Sequence, residues 1–426
     1  MPSVELIAVG TELLLGQLVD TNTSFVAQRL AEAGIDVYGT HAVGDNQTRI
    51  AAALRAALAR ADGVVTTGGL GPTVDDVTKE AACDALGVDA ELDGPSLQKM
   101  EAFFATLGRT MRENNRKQAM IPRDAYVLAN DQGTAPGFVA FGADEKFVAC
   151  LPGVPDEMKP MLVDRLIPYL RERFALSGGV TTRVLRTVNI AESEIDHRIA
   201  DLFRASENPK IAVLAHGGRC DVKIMAKAAS AAAARASIAP LEAELERRLD
   251  GFIYGRDGDT LESAIHELLV RHGLTVAVAE SCTGGRIATA LTATPGASKS
   301  FLGGIVAYDN AVKVRQLGVN SETIAARGAV SERVACEMAA GARERFRADI
   351  AIASTGIAGP GGASPEKPVG TVWLALAGMD GKVSAHQSEF PGNRANVQNR
   401  ASTVALGLLW KYLASREPNV AQPTYS

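Results

Sequence analysis

Short β-rich runs alternate with helical patterns over residues 4–170, and this alternation constrains the fold more than any other feature of the chain. The predicted strands lie at residues 4–9, 36–38, 63–67, 125–129 and 147–151, and the predicted helices at 24–33, 47–61 and 155–173. Strands and helices that alternate in this way form a parallel sheet covered by helices. The first part of the chain is therefore predicted to be one α/β domain.

The pattern changes near residue 176 and remains different until about residue 255. The β-like runs there lie at 181–188, 211–214 and 220–226, with helical patterns at 192–203 and 228–246. This mixture is typical of a small α+β module. The helix at 192–203 places Ile195, Ile199, Leu202 and Phe203 on one face, and we expect that face to pack into the core.

From residue 260 the alternation resumes. Strands are predicted at 275–279, 304–308, 349–353 and 371–376, and helices end near 269, begin near 284 and span 331–345. The fold class is therefore predicted as α/β, with two three-layer α/β domains joined by a small α+β domain. The predicted domains are 1–172, 173–255 and 256–416, followed by a mobile tail at 417–426.

Length and composition narrow the function classes. A chain of 426 residues is too long for one hydrophobic core, and a net charge of −5 argues against duplex nucleic acid as the main partner. No apolar stretch is long enough to span a membrane, and the first residues are typical of a buried strand and not of a signal peptide. Five widely spaced cysteines indicate reduced thiols, so we expect a cytoplasmic protein.

The segment Ala-Glu-Ser-Cys-Thr-Gly-Gly, residues 279–285, follows a predicted strand and opens a helix. Ligands of open α/β sheets bind at such strand ends. Gly284 and Gly285 would let the backbone approach a substrate, and free amides at the helix start could stabilise an oxyanion or hold a phosphate. Alternatively, Ser281 or Thr283 only caps the helix.

A serine nucleophile needs a base, and the sequence has no histidine at a comparable strand end. Tyr308 and Lys313 follow another predicted strand and could reach the same edge of the sheet. A lysine withdrawn from water has a lowered pKa and can accept the serine proton. The competing interpretation is a solvated surface lysine beside a half-buried tyrosine.

A Gly- and Pro-rich loop at residues 354–370 follows a third strand. Its composition excludes a helix or a central strand, so it is either a loop shaped around a ligand or a plain surface loop. Ser298 and Arg394, in segments of their own, add a hydroxyl and a guanidinium that could hold an anionic group.

Together the segments AESCTGG, YDNAVK, TGIAGPGG, PEKPVGTV and FPGNR resemble, in order and spacing, the nicotinamide mononucleotide deamidase domain of the CinA family. The resemblance covers residues 257–415 and implies metal-independent, cofactor-free hydrolysis of the carboxamide to nicotinic acid mononucleotide and ammonia. It implies that Ser281 is the nucleophile and Lys313 the base, with Tyr308 beside it, and that Cys282 is the rival nucleophile. The substrate contacts that it implies are Thr283, Gly284, Gly285, Ser298, Thr355, Gly356, Gly359, Gly361 and Arg394.

In the N-terminal domain, the segment 66–78 follows a strand and begins a helix, and its glycines expose backbone amides. Pro72 suits a first helical turn and Thr73 with Asp76 has the spacing of a capping box, so an anion site is the functional interpretation. The alternative is that Asp75 and Asp76 only favour the positive end of the helix dipole. A second loop, at residues 10–22, supplies more oxygen ligands to the same edge.

Residues 3–170 resemble the molybdopterin-binding fold of the MoaB and MogA proteins, and more closely the N-terminal domain of the CinA family. Molybdopterin proteins typically carry Arg-Asp where this chain has Asp75 and Asp76, and paired carboxylates attract a divalent metal such as Mg, Co or Mn. The family resemblance therefore implies an ADP-ribose pyrophosphatase, and molybdopterin binding is the rival. The expected site residues are Thr11, Glu12, Asp20, Asn22, Gly68, Gly69, Gly71, Asp75, Asp76 and Asn130, with residues 133–137 and 151–153 nearby.

The middle module resembles the KH-like module of full-length CinA proteins. Only His216-Gly-Gly-Arg219 stands where a nucleic-acid-binding KH loop would lie, and the surrounding charge is mixed, so an interdomain or oligomer contact is favoured. The leading expectation is a homodimeric enzyme of pyridine-nucleotide salvage acting on nicotinamide mononucleotide and ADP-ribose. A non-enzymatic accessory of competence or recombination is the rival.

Overall fold

The computed structural model describes residues 2–106 and 108–416, so the predicted tail at 417–426 lies outside the described residues. The chain divides into two compact units. The first holds the chain through Thr181 together with Lys227–Arg235, and the second holds Thr182–Ala226 and the chain from Ala236 onward. The domain boundaries at residues 172, 255 and 416 stay predictions.

The N-terminal unit is built on a six-stranded sheet in the order β2-β1-β3-β8-β7-β6. The first four strands are parallel, and β7 and β6 are antiparallel additions. Its elements are β1 Ser3–Val9, α1 Thr11–Leu14, α2 Thr21–Glu32, β2 Asp36–Val43, α3 Gln47–Leu58, β3 Gly63–Thr67, α4 Thr78–Leu86, β4 Ala90–Leu92, α5 Gly94–Thr106, β5 Met120–Pro122, β6 Tyr126–Leu128, β7 Gly137–Phe141, β8 Phe147–Leu151, α6 Pro155–Met161 and α7 Ile167–Arg173.

Every residue of β1, β3 and β8 is buried, as expected for strands covered on both faces. One core cluster joins the sheet to α2, α6 and α7, and a second joins its other face to α3 and α4. The predicted three-layer α/β architecture of this part of the chain is confirmed.

The helix predicted at 155–173 is interrupted by a π-helical turn at Leu162–Leu166 between α6 and α7. Pro168 accounts for the interruption, because a proline cannot donate the backbone hydrogen bond that would continue an α-helix.

The middle segment forms a four-stranded sheet in the order β10-β11-β9-β12. Its elements are β9 Gly179–Thr187, α8 Glu192–Ala205, β10 Lys210–His216, β11 Arg219–Ala228, α9 Ala231–Arg248 and β12 Ile253–Arg256. Ile195 and Ile199 of α8 are buried as predicted, whereas Phe203 is 47% exposed. The predicted apolar face therefore ends before Phe203.

The C-terminal sheet has the order β14-β13-β15-β16-β17. Strands β14, β13 and β15 are parallel, and β16 and β17 are antiparallel. The elements are α10 Leu261–His272, β13 Val276–Glu280, α11 Arg286–Thr292, β14 Phe301–Val306, α12 Asn310–Leu317, α13 Ser321–Arg327, α14 Glu332–Phe346, β15 Ile350–Gly356, β16 Thr371–Ala377, β17 Val383–Glu389 and α15 Arg394–Ala414.

Helices α10, α11 and α15 cover one face of this sheet, and α12 and α14 cover the other. The second three-layer α/β domain is thus confirmed, although the sequence pattern did not predict β17 or α15. Among the described residues, no helix is both long and apolar enough to cross a membrane.

Candidate active site

Strand β13 lies between β14 and β15, so the residues that follow it stand at the centre of the carboxyl edge of the sheet. Ser281 comes directly after β13, and its amide donates to the carbonyl of Ser354 on β15 at 3.0 Å. Gly284 and Gly285 then adopt φ values of 62° and 95°, which reverse the chain into α11. Ser281 is therefore fixed by its backbone at the predicted position.

Glu280, the last residue of β13, caps helix α11 with its side chain. Its fully buried carboxylate accepts hydrogen bonds from the amides of Gly285, Ile287 and Ala288 at 2.9, 3.1 and 2.8 Å. Neither Ser281 nor Thr283 is the cap, so that alternative is wrong. The amides expected to hold an oxyanion or a phosphate are occupied by Glu280, because a buried carboxylate requires several donors.

Cys282, the rival nucleophile, is buried next to Ser281. Burial raises the pKa of its thiol to about 12. At neutral pH the sulfur is therefore a protonated thiol, which is a poor nucleophile.

Lys313 lies on α12, at the same edge, and is only 2% exposed. Its Nζ donates to the carbonyl of Tyr308 at 3.2 Å, and burial lowers its pKa below the usual lysine value. The amide of Ala307, which precedes Tyr308, donates to the carbonyl of Glu280 at 2.7 Å and brings this segment to the Ser281 turn. The structure thus favours the withdrawn lysine over the solvated one.

Tyr308 is 60% exposed and its hydroxyl accepts a hydrogen bond from Nη2 of Arg394 at 2.6 Å. Nη1 of Arg394 donates to the carbonyl of Gly359 in the Gly- and Pro-rich loop at 2.7 Å. Arg394 begins α15, so three segments that are distant in sequence meet here. Gly356 ends β15 at the same edge, and Gly361 is exposed in the same loop.

Two predicted substrate contacts are buried hydroxyls with partners in the protein. The side chains of Thr283 and Ser354 are hydrogen-bonded at 2.6 Å, and Thr355 donates to the carbonyl of Ala329 at 2.8 Å. In this structure, Thr283 ties the Ser281 turn to β15, and Thr355 ties β15 to the segment that precedes α14.

Ser298 is not brought to this site within one chain. It precedes β14, whose first residue Phe301 pairs with Val276 at the start of β13. It therefore lies towards the amino edge of the sheet, where Val276 is already about 16 Å from Ser281 if each strand residue adds roughly 3.3 Å.

Sequence reasoning missed Gln398 as well as Glu280. Gln398 of α15 is buried, and its Nε2 donates to the carbonyl of Cys282 at 2.8 Å. The sequence carries no local signal for this contact, because it joins residues 116 positions apart.

The N-terminal unit has a second candidate site at the carboxyl edge of its parallel strands. A Cβ on Gly68 would lie 2.2 Å from the carbonyl oxygen of Val9, and one on Gly69 would lie 2.1 Å from Oγ1 of Thr78. On Gly71 it would meet the carboxylate of Asp76 at 2.5 Å. Gly68 and Gly69 are therefore required by close approaches and by their positive φ values, whereas the Asp76 side chain could move away from a residue at position 71.

Helix α4 begins at Thr78 with Val77 as its N-cap, later than the sequence pattern predicts. Pro72 is thus outside the first helical turn, and neither Asp75 nor Asp76 lies in that turn. Instead, the carboxylate of Asp76 accepts from the amide of Thr73 at 2.9 Å and from the Thr73 hydroxyl, closing a turn before the helix. The capping-box and dipole interpretations of this segment are wrong.

Other residues predicted for this site make hydrogen bonds within the loops at the same edge of the sheet. Thr11 and Asp45 are linked by two hydrogen bonds, and Asp20 caps α2. Asn22 donates to the carbonyl of Gly153 at 2.7 Å. The Glu12 carboxylate folds back towards Gly10.

The side chain of Asn130 makes hydrogen bonds to the backbone of the loop that follows it. Its Oδ1 accepts from the amides of Gln132 and Gly133, and its Nδ2 donates to the carbonyl of Ala135 and to Glu157. Asn130 therefore holds the predicted 133–137 segment in shape.

A buried lysine missed by the sequence reasoning lies behind the glycine loop. Lys79 is 3% exposed, and its Nζ donates to the carbonyls of Lys117 and Gln118 at 3.0 and 2.7 Å. Burial lowers its pKa to about 8. The two hydrogen bonds of Lys79 hold α4 against the segment that precedes β5.

The metal site predicted at this edge rests on Asp75 and Asp76 alone. Among the described residues, no group of three or more His, Cys, Asp or Glu side chains could hold a metal ion. Mg²⁺ is commonly held by one or two carboxylates together with substrate phosphates, so the pair fits a metal that arrives with a phosphate ligand.

Three family models match consecutive parts of the chain. Residues 5–172 match "Probable molybdopterin binding domain", residues 182–255 match "Damage-inducible protein CinA KH domain", and residues 258–413 match "CinA C-terminal domain".

Relatives match over nearly the whole length. A protein of Symbiobacterium thermophilum named as competence-damage inducible is 45% identical over 421 residues, which are 96% of this chain and 98% of that protein. A "CinA-like protein" of Gemmatimonas aurantiaca is 42% identical over 413 residues, 96% of either chain. The crystal structure of competence/damage inducible protein CihA from Agrobacterium tumefaciens is 44% identical, with a TM-score of 0.35, and covers 36% of this chain and 93% of its own. The chain therefore belongs to the CinA family of competence-damage inducible proteins.

Proposed function

We propose that the C-terminal half hydrolyses the carboxamide of nicotinamide mononucleotide to nicotinic acid mononucleotide and ammonia. The observation that carries this proposal is the buried Lys313, with its lowered pKa, at the sheet edge where the Ser281 turn lies. A serine paired with a neutral lysine can cleave an amide without a histidine. The family resemblance supplies the identity of the substrate.

The chemistry requires two steps. Oγ of Ser281 attacks the carboxamide carbon while Nζ of Lys313 takes the hydroxyl proton; collapse of the tetrahedral intermediate breaks the C–N bond, and that proton leaves with the amine as ammonia. Water then attacks the acyl-serine, giving up a proton to Lys313, and the returning proton restores the Ser281 hydroxyl. The product leaves as nicotinic acid mononucleotide, whose new carboxyl group then releases its proton to the ammonia or to water.

The groups around Ser281 suit an anionic nucleotide. The guanidinium of Arg394 is exposed and has five N–H donors. Two of its nitrogens donate to Gly359 and Tyr308, so other N–H groups remain for a phosphate. Because Glu280 occupies the amides of α11, Arg394 and the start of α15 are the better candidates for the phosphate.

Ammonia release from nicotinamide mononucleotide, measured with a chelator present, tests the proposal. We expect turnover in the wild type, none above background in Ser281→Ala, and much weaker turnover of free nicotinamide, which lacks the phosphate. Retained turnover in Ser281→Ala would contradict the proposed nucleophile. Tight DNA binding without turnover would support the accessory role instead.

We also propose that the N-terminal half cleaves the pyrophosphate of ADP-ribose. The glycine loop, in which no side chain fits at Gly68 or Gly69, supports an anion site, and Asp75 and Asp76 follow it directly in the chain. A divalent metal bound there would neutralise the phosphates and make water more acidic. Asp75 would be a metal ligand, while Asp76 also shapes the turn through Thr73.

Release of AMP from ADP-ribose with added Mg²⁺, Mn²⁺ or Co²⁺ tests this second proposal. Asp75→Asn is expected to abolish AMP release and leave ammonia release unchanged, whereas Asp164→Asn, the same change at an exposed position of the same unit, is expected to affect neither. Binding of a molybdopterin without hydrolysis of ADP-ribose would favour the rival interpretation.

A further inference from the structure

The tip of the β10–β11 hairpin, residues 216–219, lies against the C-terminal domain. The hydroxyl of Thr403 on α15 donates to the carbonyl of Gly217 at 3.1 Å, and Gly218 lies against Arg400 of the same helix. Arg219 pairs with Glu262 at 2.8 Å, with both side chains mostly buried. The loop that a KH module would use for nucleic acid is therefore engaged by the protein's own helix α15.

The beginning of α15 contacts the Ser281 turn. Gln398 donates to the carbonyl of Cys282 at 2.8 Å from a site that is 7% exposed. Its neighbour Asn399 accepts a hydrogen bond from Nε of Arg286 at 3.0 Å, and Nη1 of Arg286 donates to the carbonyl of Thr283 at 3.2 Å. Gln398 therefore holds the carbonyl of Cys282 directly, and Asn399 holds that of Thr283 through Arg286.

One rigid helix connects these two sets of contacts. Gln398 and Thr403 are five residues apart, which corresponds to about 7.5 Å along a helix. Gly407 lies one helical turn after Thr403. A Cβ on Gly407 would lie 2.5 Å from the side chain of Asn189, so the segment after β9 also packs against α15. The middle module therefore contacts the same helix that carries Gln398.

We infer that Gln398 is a positioning residue for Ser281 and that the hairpin tip keeps Gln398 in place through α15. This inference rests on the proposed deamidation. Neither Gln398 nor the hairpin tip reaches the reacting atoms; Gln398 fixes the carbonyl of Cys282, and with it the direction in which Ser281 points. The middle module then serves the C-terminal site as a support for its nucleophile.

A double-mutant cycle on ammonia release tests the inference. Gln398→Met removes the donor at nearly constant volume, and Thr403→Val removes the hydroxyl that holds Gly217. We expect kcat to fall about tenfold in the first and about threefold in the second, with KM unchanged, because the loss of one buried hydrogen bond has effects of this order. In the double variant, kcat should fall by less than the product of the two single reductions, because both substitutions act on Ser281 through the same helix α15.

Ser415→Ala, which removes a hydroxyl bond to the carbonyl of Tyr412 at the far end of α15, is the matched control and should leave kcat unchanged. A double variant whose kcat falls by the full product overturns the role of the hairpin tip. Unchanged kcat in Gln398→Met overturns the positioning role.

Amide hydrogen exchange without substrate separates this inference from the proposed function. Both variants, but not the control, should exchange faster at residues 281–288. If the wild type released no ammonia, the proposed function would fail, while this local increase would still support the positioning of the turn. Exchange equal to that of the wild type in this segment would overturn it, as would an increase spread evenly over the whole domain.

Discussion

The carboxylate of Glu280 accepts a hydrogen bond from the amide of Ala288 at 2.8 Å, which joins the last residue of β13 to the third residue of α11. Two more amides of the same turn donate to this carboxylate. Ser281 thus lies between a strand and a helix that one buried side chain holds together, and its orientation depends on that side chain.

Glu280→Gln should destabilise the C-terminal unit. The neutral amide has one acceptor oxygen for three donors, so buried amides lose their partners, and we expect the free energy of unfolding to fall by about 1–3 kcal/mol. Tryptophan fluorescence in urea measures this, because the two tryptophans, Trp373 and Trp410, both lie in this unit. Glu267→Gln, at an exposed position of α10, is the control and should change stability by less than about 0.5 kcal/mol. Equal losses in both variants would contradict the capping role.

The part of the site that topology determines could be predicted from the sequence. Ser281, Tyr308 and the loop with Gly359 each follow a strand, and the carboxyl ends of parallel strands meet at one edge. Burial of Lys313 could not be predicted, since a lysine at that position could equally face water.

What could not be predicted depends on contacts distant in sequence or on details of the turns. Glu280 ends a strand, and its local sequence does not show whether its side chain turns back onto a helix. The delayed start of α4 arises because Asp76 bonds Thr73 and closes a separate turn, which competes with the helix. Arg394 is predicted from its FPGNR segment, whereas Gln398, further along α15, meets the Ser281 turn only through a contact that is distant in sequence.

Ser281 and Cys282 should differ completely in their importance for ammonia release. Because burial raises the pKa of Cys282 to about 12, Cys282→Ala should retain activity within a few-fold of wild type. Ser281→Ala should lose about 10³-fold or more, as is usual when a nucleophile is removed. Mass spectrometry of a quenched reaction should place the acyl group on Ser281. An acyl group on the Cys282 sulfur would contradict the assignment.

Lys313 should set the acidic limb of the pH profile. The base must be neutral, so kcat/KM should rise with pH, and because burial lowers the pKa of Lys313, the midpoint should lie below the ordinary lysine value of about 10.4. Lys313→Arg keeps a charge that cannot be lost and should reduce kcat about 10²-fold or more at every pH. Lys299→Arg, at an exposed position, should behave as wild type. A profile whose acidic limb stays in place in Lys313→Arg would show that another group is the base.

Lys79 should make the stability of the N-terminal unit depend on pH. Its pKa is lowered to about 8 in the folded protein, whereas in the unfolded chain it lies near 10.4, so between these values the unfolded chain holds a proton that the folded one lacks. The free energy of unfolding must therefore rise as the pH increases from about 8 to about 10.4. It falls again when the pH is lowered towards 8. From pH 7.5 to 9.5 the expected gain is roughly 2 kcal/mol. Cys150 is fully buried in β8, so its labelling by a thiol reagent in urea reports the unfolding of this unit.

Lys79→Met isolates this effect. The variant should be less stable than wild type at pH 7.5, because the carbonyls of Lys117 and Gln118 lose their donor, and its labelling curve should lack the extra rise with pH. Lys99→Met removes an exposed lysine of the same unit and should keep the wild-type pH dependence. If Lys79→Met retained the full rise, the titrating group would have to be a different one.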